Sequence, residues 1–260
     1  MAIELPDDIV DLDPYVEYIR FLAIGENGSG KTPLAASASN GLLIATEKGT
    51  ASAARRGSKM KLWPCKTWDD FEKAKNWLQE CSFDDGIPFD WVSVDSGTAA
   101  QQQLLRHILR VETEANPTGR NRAVDSSGLD IPEIQDHQLF QNRFKRYMEE
   151  MTDLPVHLCM TAVPMSIELD DNEGGVEEHV VGQFLGGKGA IAWYVTGLFD
   201  CGGKVELRKR KKGDKIETYQ RVWFKKQGAW WGRDRYEVLG NYQDNLTLDK
   251  LVEMVNEEES

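Results

Sequence analysis

The run Gly25-Glu26-Asn27-Gly28-Ser29-Gly30-Lys31-Thr32 combines the residue types that hold a polyphosphate. Glycines let successive backbone N–H groups turn inward as an anion nest, a lysine reaches the β- and γ-phosphates, and a threonine hydroxyl ligates Mg²⁺. The run follows Tyr18 to Ile24, which reads as a buried strand, and precedes the small residues Leu34 to Ala38, which read as a helix. Strand, full pattern and helix together predict a P-loop that takes ATP with Mg²⁺, with GTP left open. The alternative is a chance glycine-rich turn. Pro33 falls in the first helical turn, where its missing N–H has no intrahelical partner to lose.

Carboxylates supply the second half of such a site. Trp91-Val92-Ser93-Val94-Asp95 is a mostly apolar run closed by an aspartate, the Walker B arrangement. At that strand end Asp95 can accept a hydrogen bond from Thr32 or from a Mg²⁺-bound water; capping the following helix is the plainer alternative. The next residue is Ser96 rather than a glutamate, so a group that orients the attacking water must come from elsewhere. Glu47, at the end of the second strand, is the candidate, against the alternative of an exposed loop glutamate. Thr161, at another strand end, is placed to sense the γ-phosphate.

The remaining elements must bring these strand ends together. Gly41 to Thr46 reads as the second strand and Phe89 to Asp95 as the third, with a helix over Thr67 to Cys81 between them. In that helix Trp68, Phe71, Ala74, Trp77, Leu78 and Cys81 share one face, Thr67 is the N-cap, and Asp69 and Asp70 occupy the favourable first turn. A helix over Thr98 to Val111 and a long polar loop over Thr113 to Glu133 follow, then a helix over Ile134 to Thr152 and a strand over Val156 to Thr161. A second polar excursion, Met165 to Gln183, precedes Gly186 to Gly189 and the apolar Ala190 to Phe199. Lys204 to Arg210 and Ile216 to Phe224 alternate as a hairpin about Lys212-Gly213-Asp214, and Leu248 to Val255 makes a closing helix. The order predicts an α/β fold: a mostly parallel sheet flanked by helices, extended by a C-terminal antiparallel hairpin. Three segments follow: an acidic arm over 1–15, a core over 16–240, and a C-terminal helix with an acidic tail over 241–260.

A formal net charge of −12 argues against coating nucleic acid with the whole surface. The exception is Lys204 to Lys226, with ten basic and three acidic residues, net +7. A nucleic-acid contact through Arg208, Lys209 and Arg210 and a solvated hairpin tip both fit this run. Cys65, Cys81, Cys159 and Cys201 and the four histidines are scattered, which implies neither a zinc site nor a disulfide framework. No apolar run nears the roughly 18 residues of a membrane span. The acidic N-terminus lacks a secretory pattern, so a cytoplasmic location is expected.

Glutamate ending the strand after the P-loop helix, Val94-Asp95-Ser96 ending the next long strand, and Gly186-Gly187 opening an apolar segment together resemble the RecA-type recombinase core. Over residues 16 to 236 the chain looks most like the phage-encoded RecA-core ATPases that act as single-strand annealing proteins. The resemblance implies a RecA-like ATPase stimulated by single-stranded DNA, in the host cytoplasm, assembled as a ring or filament and partnered by a single-strand-binding protein. It implies Gly25 to Thr32 for ATP, Thr32 and Asp95 for Mg²⁺, and Glu47 as the base. It also implies that Lys226, with Lys225 or Arg235 as substitutes, reaches a neighbouring subunit's γ-phosphate. The two polar excursions take the places of DNA-binding loops, with Arg120, Arg122 and Lys188 as candidate contacts. Trp223, Trp230 and Trp231 either stack on bases or pack at the sheet edge.

The chain departs from the pattern twice. Ala162 and Val163 stand where recombinases place a glutamine or histidine, and Asp170, Asp171, Glu173, Glu177 and Glu178 would repel a phosphate backbone. Two other classes fit the motifs: a small-molecule or nucleotide kinase with the 208–212 stretch as its lid, and a nucleotide-switched assembly module without DNA activity.

Overall fold

The computed structural model describes residues 18–115, 131–170 and 175–257. In chain order these form β1 (Arg20–Ile24), α1 (Lys31–Ala35), β2 (Gly41–Ala45), α2 (Ala51–Arg55), β3 (Lys61–Pro64), α3 (Trp68–Phe83), β4 (Trp91–Asp95), α4 (Gly97–Ala115) and α5 (Ile134–Thr152). They continue as β5 (His157–Ala162), β6 (Pro164–Asp170), β7 (Val176–Gly182), a 3-10 turn over Gly187–Gly189, and α6 (Ala190–Gly197). β8 (Cys201–Lys212), β9 (Lys215–Trp223), β10 (Gly232–Asp234), β11 (Tyr242–Asp244) and α7 (Leu248–Asn256) close the chain.

One sheet carries the fold, in the order β11-β9-β8-β1-β5-β4-β2-β3, with β10 also paired to β8. β3, β2, β4, β5, β1 and β8 run parallel, whereas β9, β10 and β11 are antiparallel additions at the far side. This is the α/β architecture expected from the sequence. Parallel strands are covered on both faces and therefore read as continuous apolar runs; β2 and β4 are buried at every position.

Strand alternation sorts the core into two layers. Leu22, Ile24, Val92, Val94, Leu158 and Met160 pack against α3, α4, α5 and α6. Phe21, Ala23, Leu43, Trp91 and Cys159 face the other way, onto α1 and α7. α7 thus belongs to the core, with Leu248, Leu251 and Val255 buried in the second layer.

The α3 cap has the geometry its sequence implied. Asp70 N donates to Thr67 Oγ1 at 3.2 Å while Thr67 N donates to Asp70 Oδ2 at 2.9 Å. Such a reciprocal cap contributes about 1 kcal/mol.

The second polar excursion is a correction. Met165 to Gln183 is not a loop but the antiparallel pair β6–β7, a separate two-stranded sheet registered from Pro164 with Gly182 to Asp170 with Val176. Its apolar residues Ile167 and Val181 are buried inward, and Glu168, Asp170 and Glu178 lie on the opposite face, which hides the alternation. α2 and β3 were also not expected. β3 is a short edge strand with exposed residues, and α2 has five residues and no side-chain cap. Most of the first polar excursion, with Arg120 and Arg122, lies outside the described residues, as do the acidic arm and the Lys188 side chain.

Candidate active site

Parallel strands deliver their carboxyl ends to one edge, where Glu47 follows β2 by two residues, Asp95 ends β4 and Thr161 is next to last in β5. β1 runs into the P-loop, which is the turn between β1 and α1. Gly30 takes φ 95°, and a Cβ there would lie 2.6 Å from the Gln220 amide. A Cβ on Gly25 would meet the Val205 carbonyl at 2.5 Å, so both positions require glycine.

Lys31 is 9 % exposed and donates from Nζ to the carbonyls of Gly25 at 2.6 Å and Glu26 at 2.9 Å. An ammonium has three donors, so one remains for a phosphate oxygen. Burial lowers the Lys31 pKa below the usual lysine value, while Asp95, Glu47 and Glu26 pull it back up. Ser29 is 8 % exposed, and its Oγ is buried without a hydrogen-bond partner among the described residues. An orphaned hydroxyl inside a ring of turn amides suits an anion.

Asp95 ends β4 and is fixed at both oxygens. Thr32 Oγ1 donates to Oδ2 at 2.6 Å, and Thr161 Oγ1 donates to Oδ1 at 2.5 Å. Thr161, expected as a phosphate sensor, holds the carboxylate here. Glu47 lies across from it. Ser96, which follows Asp95 through a cis peptide bond, donates from Oγ to Glu47 Oε1 at 2.8 Å. The position where a second carboxylate was absent thus hydrogen-bonds the glutamate that the sequence offered in its place. Thr46 ties the two strand ends together, accepting from Ser96 N at 2.8 Å and donating to Ser96 O at 2.9 Å.

These groups open onto one pocket of about 300 Å³, lined by Asn27, Gly28, Gly30, Lys31, Thr32, Glu47, Asp95 and Ser96, with Leu207 of β8 as a further wall. A second pocket of about 400 Å³ adjoins it along α1, sharing Pro33 and Arg56 and extending to Gln220 and Asn245. Polyphosphate donors in the first pocket and a longer cavity beside it fit a nucleoside triphosphate. Thr32 and Asp95 fit Mg²⁺, which takes one or two carboxylates and completes its shell with water and phosphate. Among the described residues no group of three or more histidines, cysteines, aspartates and glutamates could hold a metal ion.

A family model described as an AAA domain matches residues 17–236. The chain belongs to that AAA-domain family. No curated protein matches the sequence. Family and fold together make this AAA domain a nucleotide-binding P-loop ATPase. Among the described residues of the AAA domain, no helix is long and apolar enough to cross a membrane.

The AAA domain also contains a contact across the sheet that sequence reasoning missed. Gln220 of β9 is buried and donates from Nε2 to the Gly30 carbonyl at 2.7 Å. Its own backbone is clamped by Asn245, which accepts from Gln220 N at 3.2 Å and donates its N–H to Gln220 O at 2.8 Å. The hairpin thereby holds the P-loop. Its only sequence signal is an amide between charged and apolar neighbours in an alternating strand, which does not reveal a partner. Lys226 lies beyond the end of β9, ion-paired to Glu177 of β7, and Arg235 donates to Asp200 Oδ1 at 2.7 Å. Within a single chain both cations are engaged away from the strand ends that carry Lys31 and Asp95. Trp230 and Trp231 are partly buried against the first core layer, as sheet-edge packing would have it.

Proposed function

We propose that this AAA domain hydrolyses ATP when single-stranded DNA is bound and that, as a ring or filament, it promotes annealing or strand exchange in phage recombination. The observation that carries the ATP half is the joined pair of strand ends: Asp95 bonded to Thr32 of the P-loop, and Glu47 oriented by Ser96. In this reading Lys31 and the amides of the P-loop bind the phosphates, and Thr32 and Asp95 would hold Mg²⁺. Bound there, the ion would supply positive charge to offset the negative charge developing on the phosphate. Glu47 accepts a proton from the attacking water, and the Ser96 hydroxyl keeps its carboxylate aimed at the pocket. The adjoining cavity between α1, Arg56 and Asn245 receives the nucleoside.

The DNA half rests on the resemblance to RecA-core annealing proteins and on the basic β8–β9 hairpin that touches the P-loop through Gln220. Arg120, Arg122 and Lys188 remain proposed contacts of the same strand, and Lys226 a proposed cation donated to the next subunit's nucleotide, released from Glu177 on assembly. A single-strand-binding protein would be the natural co-partner on such a substrate.

The test is ATP turnover by the wild type and Lys31→Ala, with and without single-stranded DNA. Stimulation by DNA in the wild type, and loss of turnover in the variant, is the expected result. Phosphate transferred to a nucleoside or metabolite would instead make the protein a kinase, and slow turnover indifferent to DNA would make it a nucleotide switch.

A further inference from the structure

The β8–β9 hairpin has two faces of different character. Side chains alternate along each strand, and the register of Arg208 with Tyr219 and Arg210 with Glu217 puts these four on one face. Leu207, Lys209 and Gln220 lie on the other, the face that walls the nucleotide pocket and grips Gly30. The basic run read as one unit in the sequence is therefore split, with Lys209 turned away from Arg208 and Arg210.

The outer face continues onto β11, where Tyr242 registers with Trp223 and Asp244 with Arg221. There cations and rings interleave. The Arg221 guanidinium lies 3.6 Å from the Tyr242 ring centroid and 5.3 Å from that of Trp223. Arg210 is 5.0 Å from Tyr219, and Arg208 is 6.0 Å from Trp223. Glu206, Glu217 and Asp244 brace this array, bonding Arg208, Arg210 and Arg221 respectively. The bracing fixes the rings without cancelling the charge, because Lys212 and Lys215 add two cations of the same face at the turn. Tyr242 is 41 % exposed.

A pre-ordered, net-positive ribbon with aromatic rings at its surface has the composition that binds single strands: backbone charge is met by Lys and Arg, and bases stack on rings without regard to sequence. It stands out on a chain of net charge −12. We propose that the outer face of β8, β9 and β11 is the surface that binds single-stranded DNA, with bases on Tyr219, Trp223 and Tyr242 and phosphates on Arg208, Arg210, Lys212 and Lys215. This rests on the DNA reading above and names its surface. It also supplies a route for stimulation, because β9 carries Tyr219 and Arg221 on the DNA side and Gln220 on the P-loop side.

Fluorescence anisotropy with labelled oligo(dT), across a salt series, tests it. The double variant Lys212→Glu/Lys215→Glu, placed at the turn where it disturbs no ion pair of the array, should weaken binding about tenfold and flatten the salt dependence. Tyr219→Ala should weaken it about fivefold or more, with a smaller change in salt slope, as expected for lost stacking. Lys209→Glu, on the inner face, should lose less than either. Wild-type binding that is unmoved by the outer-face variants, or as strong for duplex as for single strands, would overturn the surface assignment alone. Wild-type protein that binds ATP but no oligo(dT) at any salt would overturn the DNA reading with it.

Discussion

The two edges of the parallel sheet treat polar groups in opposite ways. At the amino edge the polar side chains Arg20 and His157 bond to the backbone. Arg20 donates to the carbonyls of Thr152 at 2.5 Å, Val156 at 2.8 Å and Leu154 at 2.8 Å, and Ile19 N donates to His157 Nδ1 at 2.9 Å. At the carboxyl edge the groups are held but not exhausted. Asp95 and Glu47 are positioned by hydroxyls, Lys31 retains a donor, and Ser29 Oγ has no partner among the described residues. Buried polar groups cost free energy unless they are paired, so the unpartnered Ser29 Oγ and the spare Lys31 donor at this edge are groups that a bound phosphate would satisfy. In the reading proposed above, one edge maintains the fold and the other performs the chemistry.

Substitutions at the two edges should separate these roles. The largest effect is expected for Glu47→Gln, which should retain ATP affinity while turnover falls by about 10²–10⁴, the usual contribution of a positioned base. Unchanged single-turnover hydrolysis would remove Glu47 from that role. At the opposite edge Arg20→Met strands three carbonyls and should lower unfolding free energy by about 3 kcal/mol in denaturant titration, with nucleotide affinity intact below the transition. A loss of ATP binding without loss of stability would reverse the comparison.

Gln220→Ala bears on how the hairpin holds the carboxyl edge. It should raise the KM for ATP about tenfold, the scale of one lost hydrogen bond at a strained loop, with kcat nearly unchanged, and Gln220→Asn should not restore the reach. The smallest effect is a pH dependence at the amino edge. Burial, reinforced by Arg20, pushes the His157 pKa down to about 4 from 6.5. The unfolded chain therefore takes up a proton that the folded chain refuses, and stability should decline as pH falls from about 6.5 towards 4. His157→Gln should flatten that decline in thermal melts; an unchanged slope would place the pH sensitivity elsewhere.

Where the sequence carried local information, the fold was legible. The P-loop, the Thr67 cap of α3, the hairpin turn at Gly213 and the Asp95 strand end are each written in neighbouring residues. What escaped were contacts between strands distant in sequence. Ser96 orients Glu47 and Gln220 holds Gly30, pairs separated by 49 and 190 residues, because strand order brings them together. The β6–β7 pair was hidden for another reason: its exposed face is so acidic that average polarity masked the alternation of Ile167, Leu169 and Val181. The splitting of Lys209 from Arg208 and Arg210 was available in principle from strand parity, but only the register shows which face meets the P-loop.

Isothermal titration with ATP, with and without Mg²⁺, on the wild type and on Lys31→Ala tests the central claim most directly. The carboxyl-edge site predicts saturable binding that strengthens when Mg²⁺ is present and is lost in the variant, whose thermal stability should not fall. Folded wild type that releases no heat with Mg-ATP, or a Lys31→Ala variant that binds as the wild type does, would contradict it.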